Sequence, residues 1–433
     1  MERKAMQQLQ AWKDSPYRKP LLIQGARQVG KTYAVLAFGR TCYENVAYFN
    51  FETRPVLSQT FEENLSPAYL LPVLAHIAGQ TIIPGKTLIV FDEIQLSERA
   101  LTALKYFCEE APEQHIIAMG SLLGVAVNRQ QYAFPVGKVD MLTMHPMDME
   151  EFLWALGEKA LAEQIRTAFQ TDTPLPAALH QAALARYRQY LVVGGLPECV
   201  AQFAATGDYL LIRNTQDAIL AGYLDDMSKY NGKNEIRKTH LVYDNITVQL
   251  SRTHTRFQYK LLKKGARAAE FENAIEWLVL SGIVARVYRA EQIKKPLDNY
   301  RDIDAFKIYV SDPGLLTAKK DLRADDILYG MDLGELDDFK GGMVENYVNT
   351  QLITNGYRTY YWESGDQAEI DFIIQREGAI IPIEVKAADH TRAKSLAVYR
   401  QRYQPKYAVR LSTKNFGCEA TLKTVPLYAT FCL

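Results

Sequence analysis

Near the start of the chain, Leu21-Leu22-Ile23-Gln24-Gly25-Ala26-Arg27-Gln28-Val29-Gly30-Lys31-Thr32 leaves little freedom in what the polypeptide can become. A short apolar run stops at Gly25, and Gly30-Lys31-Thr32 opens a segment of helical character. Strand, glycine-bearing loop and helix in that order make a phosphate-binding loop. Gly25 and Gly30 permit the tight turn that points the N–H groups of Gly25, Ala26, Arg27, Gln28, Val29 and Gly30 at an anion. The helix adds the positive end of its dipole. In such loops the lysine, here Lys31, reaches the β- and γ-phosphates, and the hydroxyl of Thr32 is a ligand for Mg²⁺.

A second constellation supports the first. Thr87-Leu88-Ile89-Val90-Phe91 is a continuous apolar run, as expected of a strand buried on both faces of a parallel sheet. It ends in Asp92-Glu93, where the carboxyl ends of such strands form a ligand crevice. This is a Walker B element, with Asp92 in the Mg²⁺ shell and Glu93 orienting and polarising the attacking water. Further β-rich runs are expected at Val46–Phe51, Gln114–Met119 and Lys138–Met144, with helices at residues 2 to 13 and from Pro67 to about Ala78. Strands alternating with helices predict an α/β domain with a doubly wound parallel sheet. Ser121, after the fourth strand, is placed either as a contact to the γ-phosphate or as the cap of a helix.

A chain of 433 residues suggests two to four domains. Formal net charge is zero, which excludes a global basic field of the kind that announces nucleic acid, so any nucleic-acid site is a local patch. Cys42, Cys108, Cys199, Cys418 and Cys432 are scattered. They suggest neither a disulfide framework nor a zinc site and fit a reducing, cytoplasmic setting. No window is apolar for the length of a membrane span.

Downstream, residues 148 to 230 read as helical, with a turn at Gly194-Gly195-Leu196-Pro197. From 231 to 320, helix, turn, helix and hairpin read as a winged helix. Arg256, Lys260, Lys263, Lys264, Arg267, Arg286 and Arg289 lie in or beside it. They form either a phosphate-tracking cluster or a solvated face. The polar stretch from Lys319 to Lys340 is the best linker, and the last hundred or so residues form a fresh unit. There, Glu369-Ile370-Asp371-Phe372 precedes a turn at Glu377-Gly378, and Ile383-Glu384-Val385-Lys386 follows. A two-residue hairpin turn places Asp371 opposite Glu384 on one face, with Lys386 two residues on. Two carboxylates and a lysine, with Glu345 from the preceding helix as a third acid, suit a Mg²⁺ ion at a phosphodiester-cutting site. An exposed face carrying a Glu–Lys pair fits the same spacing.

On these residues the chain resembles the prokaryotic AAA-type ATPases that carry a C-terminal restriction-endonuclease-like domain of unknown function. The marks are the Gly25–Thr32 loop, Phe91-Asp92-Glu93-Ile94-Gln95, Gly120-Ser121, His145-Pro146 with Glu150-Glu151-Phe152, Gly194-Gly195-Leu196-Pro197, Asp312-Pro313-Gly314-Leu315, and Glu345, Asp371, Glu384 and Lys386. The resemblance implies a P-loop ATPase core over residues 1–150, a helical lid over 151–230, a winged helix over 231–320 and a PD-(D/E)XK nuclease-like fold over 336–433. It implies ATP and Mg²⁺ as cofactors, and it sets Pro197 against the nucleotide. Where the family often has an arginine finger, Val136-Gly137-Lys138 carries lysine instead, and Arg129 is the alternative. The partners are then ATP or ADP, DNA or RNA, and other copies of the chain, with no membrane. Two readings follow: an ATP-hydrolysing protein whose C-terminal site cuts nucleic acid, or a nucleotide-gated switch or adaptor whose C-terminal domain only binds nucleic acid or protein.

Overall fold

The structure is a computed structural model. It describes residues 1–121, 135, 137–230, 233–252, 256–330, 337–365, 368–387 and 394–433. The chain forms two compact units. One comprises Glu2–His145 and Leu280–Gly282, the other Met1, Pro146–Val279 and Ile283–Leu433.

The N-terminal unit is built on a parallel sheet of five strands in the order β2-β3-β4-β1-β5. The strands are β1 Leu21–Gly25, β2 Asn45–Asn50, β3 Thr87–Asp92, β4 His115–Ser121 and β5 Asp140–Thr143. Helices α1 Ala5–Asp14, α2 Lys31–Cys42, α3 Pro55–Glu63, α4 Pro67–Ala78 and α5 Glu98–Glu110 complete it. All five strands fall where the apolar runs predicted them, within two residues at the ends. The reason is visible in β3, every residue of which is buried. Phe49, Phe51, Phe61, Phe91 and Phe107 form one aromatic cluster, with ring centroids 5.6–6.5 Å apart around Phe91 and Phe51.

At the opposite end of β4, the ring of His115 packs edge-on against Trp12 and Tyr43, and its Nδ1 lies 2.7 Å from the Tyr43 hydroxyl. Burial, with Arg18 and Lys13 nearby, pushes the His115 pKa down from 6.5 to about 4.

The C-terminal unit begins with seven helices: α6 Met149–Ala155, α7 Lys159–Thr171, α8 Ala177–Val193, α9 Pro197–Thr206, α10 Tyr209–Tyr230, α11 Lys233–Leu250 and α12 Ala268–Leu280, the last ending in the shared segment. The stretch read as helical, residues 148 to 230, holds α6 to α10. The rest is a mixed sheet of eight strands, ordered β12-β13-β11-β10-β9-β8-β6-β7. Its strands are β6 Val284–Ala290, β7 Arg301–Val310, β8 Tyr360–Glu363, β9 Glu369–Arg376, β10 Ala379–Val385, β11 Ala408–Ser412, β12 Gly417–Glu419 and β13 Leu422–Pro426. Helices α13 Pro313–Lys319, α14 Ala324–Leu328, α15 Asp337–Thr354 and α16 Lys394–Tyr403 connect them.

Two sequence expectations meet this sheet differently. The β9–β10 hairpin has its turn at Glu377 and Gly378, both with positive φ (48° and 74°). The pairing runs from Ala379 opposite Arg376 to Ile383 opposite Phe372, the register expected from a two-residue turn. By contrast, the hairpin β6–β7 is not the free wing of a separate domain. Tyr288 and Arg289 of β6 pair in parallel with Tyr360 and Tyr361 of β8, so the hairpin is one flank of the C-terminal sheet. Arg289 also donates to Glu363 and to Asp302. The physical reason lies in β7, where Ala305 to Val310 are buried without a break. A wing exposed on one face would alternate.

The motifs Gly194-Gly195-Leu196-Pro197 and Asp312-Pro313-Gly314-Leu315 explain each other within this unit. Asp312 caps α13 by accepting from the Leu315 N–H (2.9 Å), and its other oxygen accepts from the Gly195 N–H at 2.6 Å. A Cβ on Gly195 would lie 2.0 Å from the Met147 carbonyl oxygen, and one on Gly314 would lie 2.6 Å from the Gly194 nitrogen. Only glycine allows these backbones to approach so closely.

A prediction follows for acid stability. The His115 pKa is lower folded than unfolded, so the unfolded chain takes up the proton first. The stability that this neutral ring carries is complete above pH 6.5 and is lost as pH falls toward 4. Between pH 7 and 4.5 the loss is about 2–3 kcal/mol. Urea unfolding at the two pH values should show a smaller acid-induced loss in His115→Asn than in the parent chain.

Candidate functional site

At the C-terminal ends of β1, β3 and β4 the N-terminal unit gathers the residues that the sequence singles out. β1 is buried through Leu21, Leu22 and Ile23 and stops at Gly25. A Cβ there would lie 2.3 Å from the Met144 carbonyl oxygen, which is why the loop leaves the sheet at a glycine. Within the loop, Gln28 and Gly30 both have positive φ (65° and 86°). Gly30 is the N-cap of α2, and no side chain caps that helix, so its first N–H groups are left facing outward. Gly25 pairs in register with Ser121, which sets the tip of β4 beside the loop.

The chemistry is concentrated at four side chains. The Thr32 hydroxyl donates to Asp92 Oδ2 at 2.9 Å across 60 residues of sequence. The Tyr48 hydroxyl donates to the same oxygen at 2.7 Å, and Asp92 Oδ1 accepts from the Glu93 N–H at 3.0 Å. Glu93 has φ 53°, a rare conformation for a residue other than glycine, and its carboxylate accepts from the Gln95 amide. Lys31 folds back on the loop, donating to the carbonyls of Gly25 (3.0 Å) and Ala26 (2.9 Å). Burial lowers its pKa to about 8, against the pull of Glu93 and Asp92.

A threonine hydroxyl and a carboxylate meeting at a helix N-terminus, beside a lysine and a glycine cradle that a Cβ would fill, fit a Mg²⁺–nucleotide. Thr32 and Asp92 would hold the metal, and Lys31 with the loop amides would hold the phosphates.

Two supporting residues were not singled out from sequence. Arg3 is buried and donates to the carbonyls of Val29 (2.9 Å) and His145 (2.8 Å), bracing the phosphate loop from behind. Nothing in the amphipathic N-terminal stretch distinguishes this arginine from a surface one. Tyr48 could have been suspected, because it alternates with the buried Ala47 and Phe49 and so points to the other face of β2. Arg129, the alternative arginine finger, lies outside the described residues, and Lys138, where the family often has arginine, pairs with Glu109 at 2.8 Å. Pro197 opens α9 in the C-terminal unit.

In the C-terminal unit the acids and the lysine meet different partners. The sheet curls so that Tyr309 of β7 packs on Phe372 of β9, with ring centroids 5.7 Å apart. This brings Lys307 to Glu369 (2.6 Å) and to Glu345 (3.4 Å), while the Tyr309 hydroxyl donates to the same Glu345 oxygen at 2.7 Å. Asp371 accepts from the Val385 N–H at 2.7 Å. Burial, then Glu345, raises the Asp371 pKa to about 8, against the pull of Lys307. Glu384 is buried apart from these contacts, with Lys386 Nζ at 3.1 Å from one oxygen and Arg410 Nε at 3.7 Å from the other. Among the described residues, no group of three His, Cys, Asp or Glu side chains is placed to hold a metal ion. Glu345 and Glu369 already face the Lys307 ammonium, which does not fit Mg²⁺ between them, whereas both Glu384 oxygens are buried without a hydrogen bond. Beside the cluster opens a cleft of about 770 Å³, lined among others by Arg256, Tyr259, Lys260, Glu363, Glu369 and Ser395.

Three family models match the chain. Residues 17–153 match an AAA domain, and residues 184–326 and 340–430 match two domains of unknown function, DUF8612 and DUF4143. Over residues 17–153 the N-terminal unit is thus similar to AAA domains, in keeping with its P-loop. Among solved structures, the Walker-type ATPase PABY2304 of Pyrococcus abyssi is similar at 15% identity, over 74% of this chain and 95% of that one, with a TM-score of 0.45. The RuvB Holliday junction branch migration motor of Thermotoga maritima follows at 14% identity, over 66% and 90%, with a TM-score of 0.31. The Aeropyrum pernix ORC1 protein, solved in complex with DNA, shows 14% identity over 74% and 92%, with a TM-score of 0.26. No curated protein matches. Among the described residues, no helix is long and apolar enough to cross a membrane.

If Arg3 braces the loop, Arg3→Ala should weaken nucleotide binding by roughly tenfold although it touches no phosphate, the equivalent of one or two lost hydrogen bonds. A fluorescent ATP analogue titrated into both proteins reads this directly, and Arg3→Lys should recover part of the loss.

Proposed function

We propose that the chain binds Mg²⁺–ATP at the Gly25–Thr32 loop and hydrolyses it, and that its C-terminal unit engages nucleic acid. The observation that carries the first part is the Thr32–Asp92 contact, with Glu93 one residue beyond. On this reading Lys31 leaves the carbonyls of Gly25 and Ala26 for the β- and γ-phosphates. The neighbouring amides of the loop orient the triphosphate. Glu93, whose carboxylate is held by Gln95, takes the proton of the attacking water. The metal, when bound, neutralises charge developing on the phosphate oxygens. The backbone of Ser121 ends β4 level with Gly25, and a role for this residue near the γ-phosphate is part of the proposal.

Glu93→Gln should bind ATP as tightly as the parent but lose hydrolysis by about a hundredfold or more. A nitrocellulose-filter binding assay and phosphate release, run side by side, separate the two effects. Hydrolysis by Glu93→Gln at the parental rate would remove Glu93 from this role.

For the C-terminal unit, the geometry favours binding of nucleic acid over cutting. Asp371 and Glu384 lie on paired strands, as a metal-dependent nuclease would need, but Lys307 sits among Glu345, Glu369 and Asp371, and the Val385 N–H already reaches Asp371. What supports binding is the cleft, with the cations Arg256 and Lys260 on its wall beside Tyr259. In fluorescence anisotropy with labelled single-stranded DNA and RNA at low salt, Arg256→Glu combined with Lys260→Glu should abolish binding. A strand cut in Mg²⁺ by the parent but not by Lys386→Ala would reverse the preference and restore the nuclease reading.

A further inference from the structure

The C-terminal acids pose a problem that the nucleic-acid reading does not solve. Glu345, Glu369 and Asp371 come from α15 and β9 and are brought to one partly buried region of the curled sheet. Carboxylates so placed repel one another unless something positive lies among them. In proteins that positive charge is commonly a divalent ion, which demands several oxygen ligands at short range.

Here the position is filled from within the chain. Lys307 enters from β7, its side chain only 1% exposed. Its ammonium lies 2.6 Å from Glu369 Oε1 and 3.4 Å from Glu345 Oε2, and 5.2 Å from the centre of the Tyr361 ring. Two further donors reach these acids. The Tyr309 hydroxyl donates to Glu345, and the Val385 N–H donates to Asp371. Burial alone would strip Lys307 of its proton. Glu345, Tyr309, Glu369 and Asp371 outweigh it and hold the pKa well above the ordinary value. A metal ion in reach of Glu369 and Glu345 would stand against this ammonium at a few ångströms. Displacing Lys307 would leave a buried charge without its partners, which is strongly destabilising.

We propose that Lys307 is the resident cation of this cluster: the C-terminal unit holds its acids together with an internal ammonium and takes up no divalent metal there. The inference rests on the reading of this unit as one that binds rather than cuts. It also accounts for the hairpin β6–β7 being joined to the sheet, since that hairpin delivers the cation.

The test is Mn²⁺ binding, followed by electron paramagnetic resonance of the free ion. The protein is the full chain carrying Asp92→Asn with Glu93→Gln, so that the nucleotide site contributes neither of these carboxylates. With Lys307 intact, no Mn²⁺ should bind below the millimolar range. Lys307→Ala should create one site at least tenfold tighter, and a further Glu369→Gln should remove it. Should Lys307→Ala fail to fold, the thermal midpoint of the Lys307-bearing chain decides instead. It should be the same in Mg²⁺ and in EDTA. One Mn²⁺ bound at micromolar concentration by the Lys307-bearing chain and lost in Glu369→Gln, or a Mg²⁺-dependent rise in midpoint lost in the same variant, would overturn the proposal. Failure of Arg256→Glu with Lys260→Glu to weaken nucleic-acid binding would fall on the proposed function alone and leave the metal result standing.

Discussion

One hydrogen bond between distant residues organises the N-terminal unit: the hydroxyl of Thr32, at the first turn of a helix, on the carboxylate of Asp92, at the end of a buried strand. It forms because β1 and β3 lie in one parallel sheet and end at the same edge. The aromatic cluster around Phe91 fixes β3, and the close approach of Gly25 to Met144 fixes where the loop departs. Tyr48 and the Glu93 amide then complete the shell of Asp92, so that each of its oxygens is committed before any ligand arrives. Preorganisation of this kind lowers the ordering cost of binding a charged ligand.

Much of this was legible in the sequence because it is local or periodic. Apolar runs gave the five strands of the parallel sheet, and Gly-x₄-Gly-Lys-Thr followed by Asp-Glu gave the site. The Glu377-Gly378 turn gave the β9–β10 register, since two left-handed residues leave only one way to close the hairpin. The illegible parts are those set by pairing between segments far apart. A helix–turn–helix–hairpin pattern says nothing about what lies beside the hairpin, so the joining of β6 to β8 could not be read. Arg3 left no pattern at all. Lys307 did leave one: a lone lysine between Ala305-Phe306 and Ile308-Tyr309-Val310, where a continuous apolar run has no place for a charge unless an acid awaits it.

The two glycine motifs teach a related lesson. Gly194-Gly195-Leu196-Pro197 invites a functional reading, yet the close contacts of both its glycines are within its own unit. Gly195 offers its N–H to Asp312 and its carbonyl to Met147, while Gly314 presses on Gly194. Motifs of this kind can be preserved by backbone packing alone, and the burial of Asp312 makes the arrangement sensitive to any added side chain.

The flank formed by β6 and β7 bears on how this protein can be dissected. Boundaries drawn at residues 326 and 340, where the two C-terminal family matches end and begin, run between strands of a single sheet. A fragment starting at 340 would present Tyr360–Glu363 as a bare edge, with backbone donors and acceptors open to the next molecule. It would also strip Glu345 and Glu369 of the Lys307 counter-charge. Insolubility of such a fragment would then reflect where the cut was made, and would say nothing about the fitness of the sequence to fold.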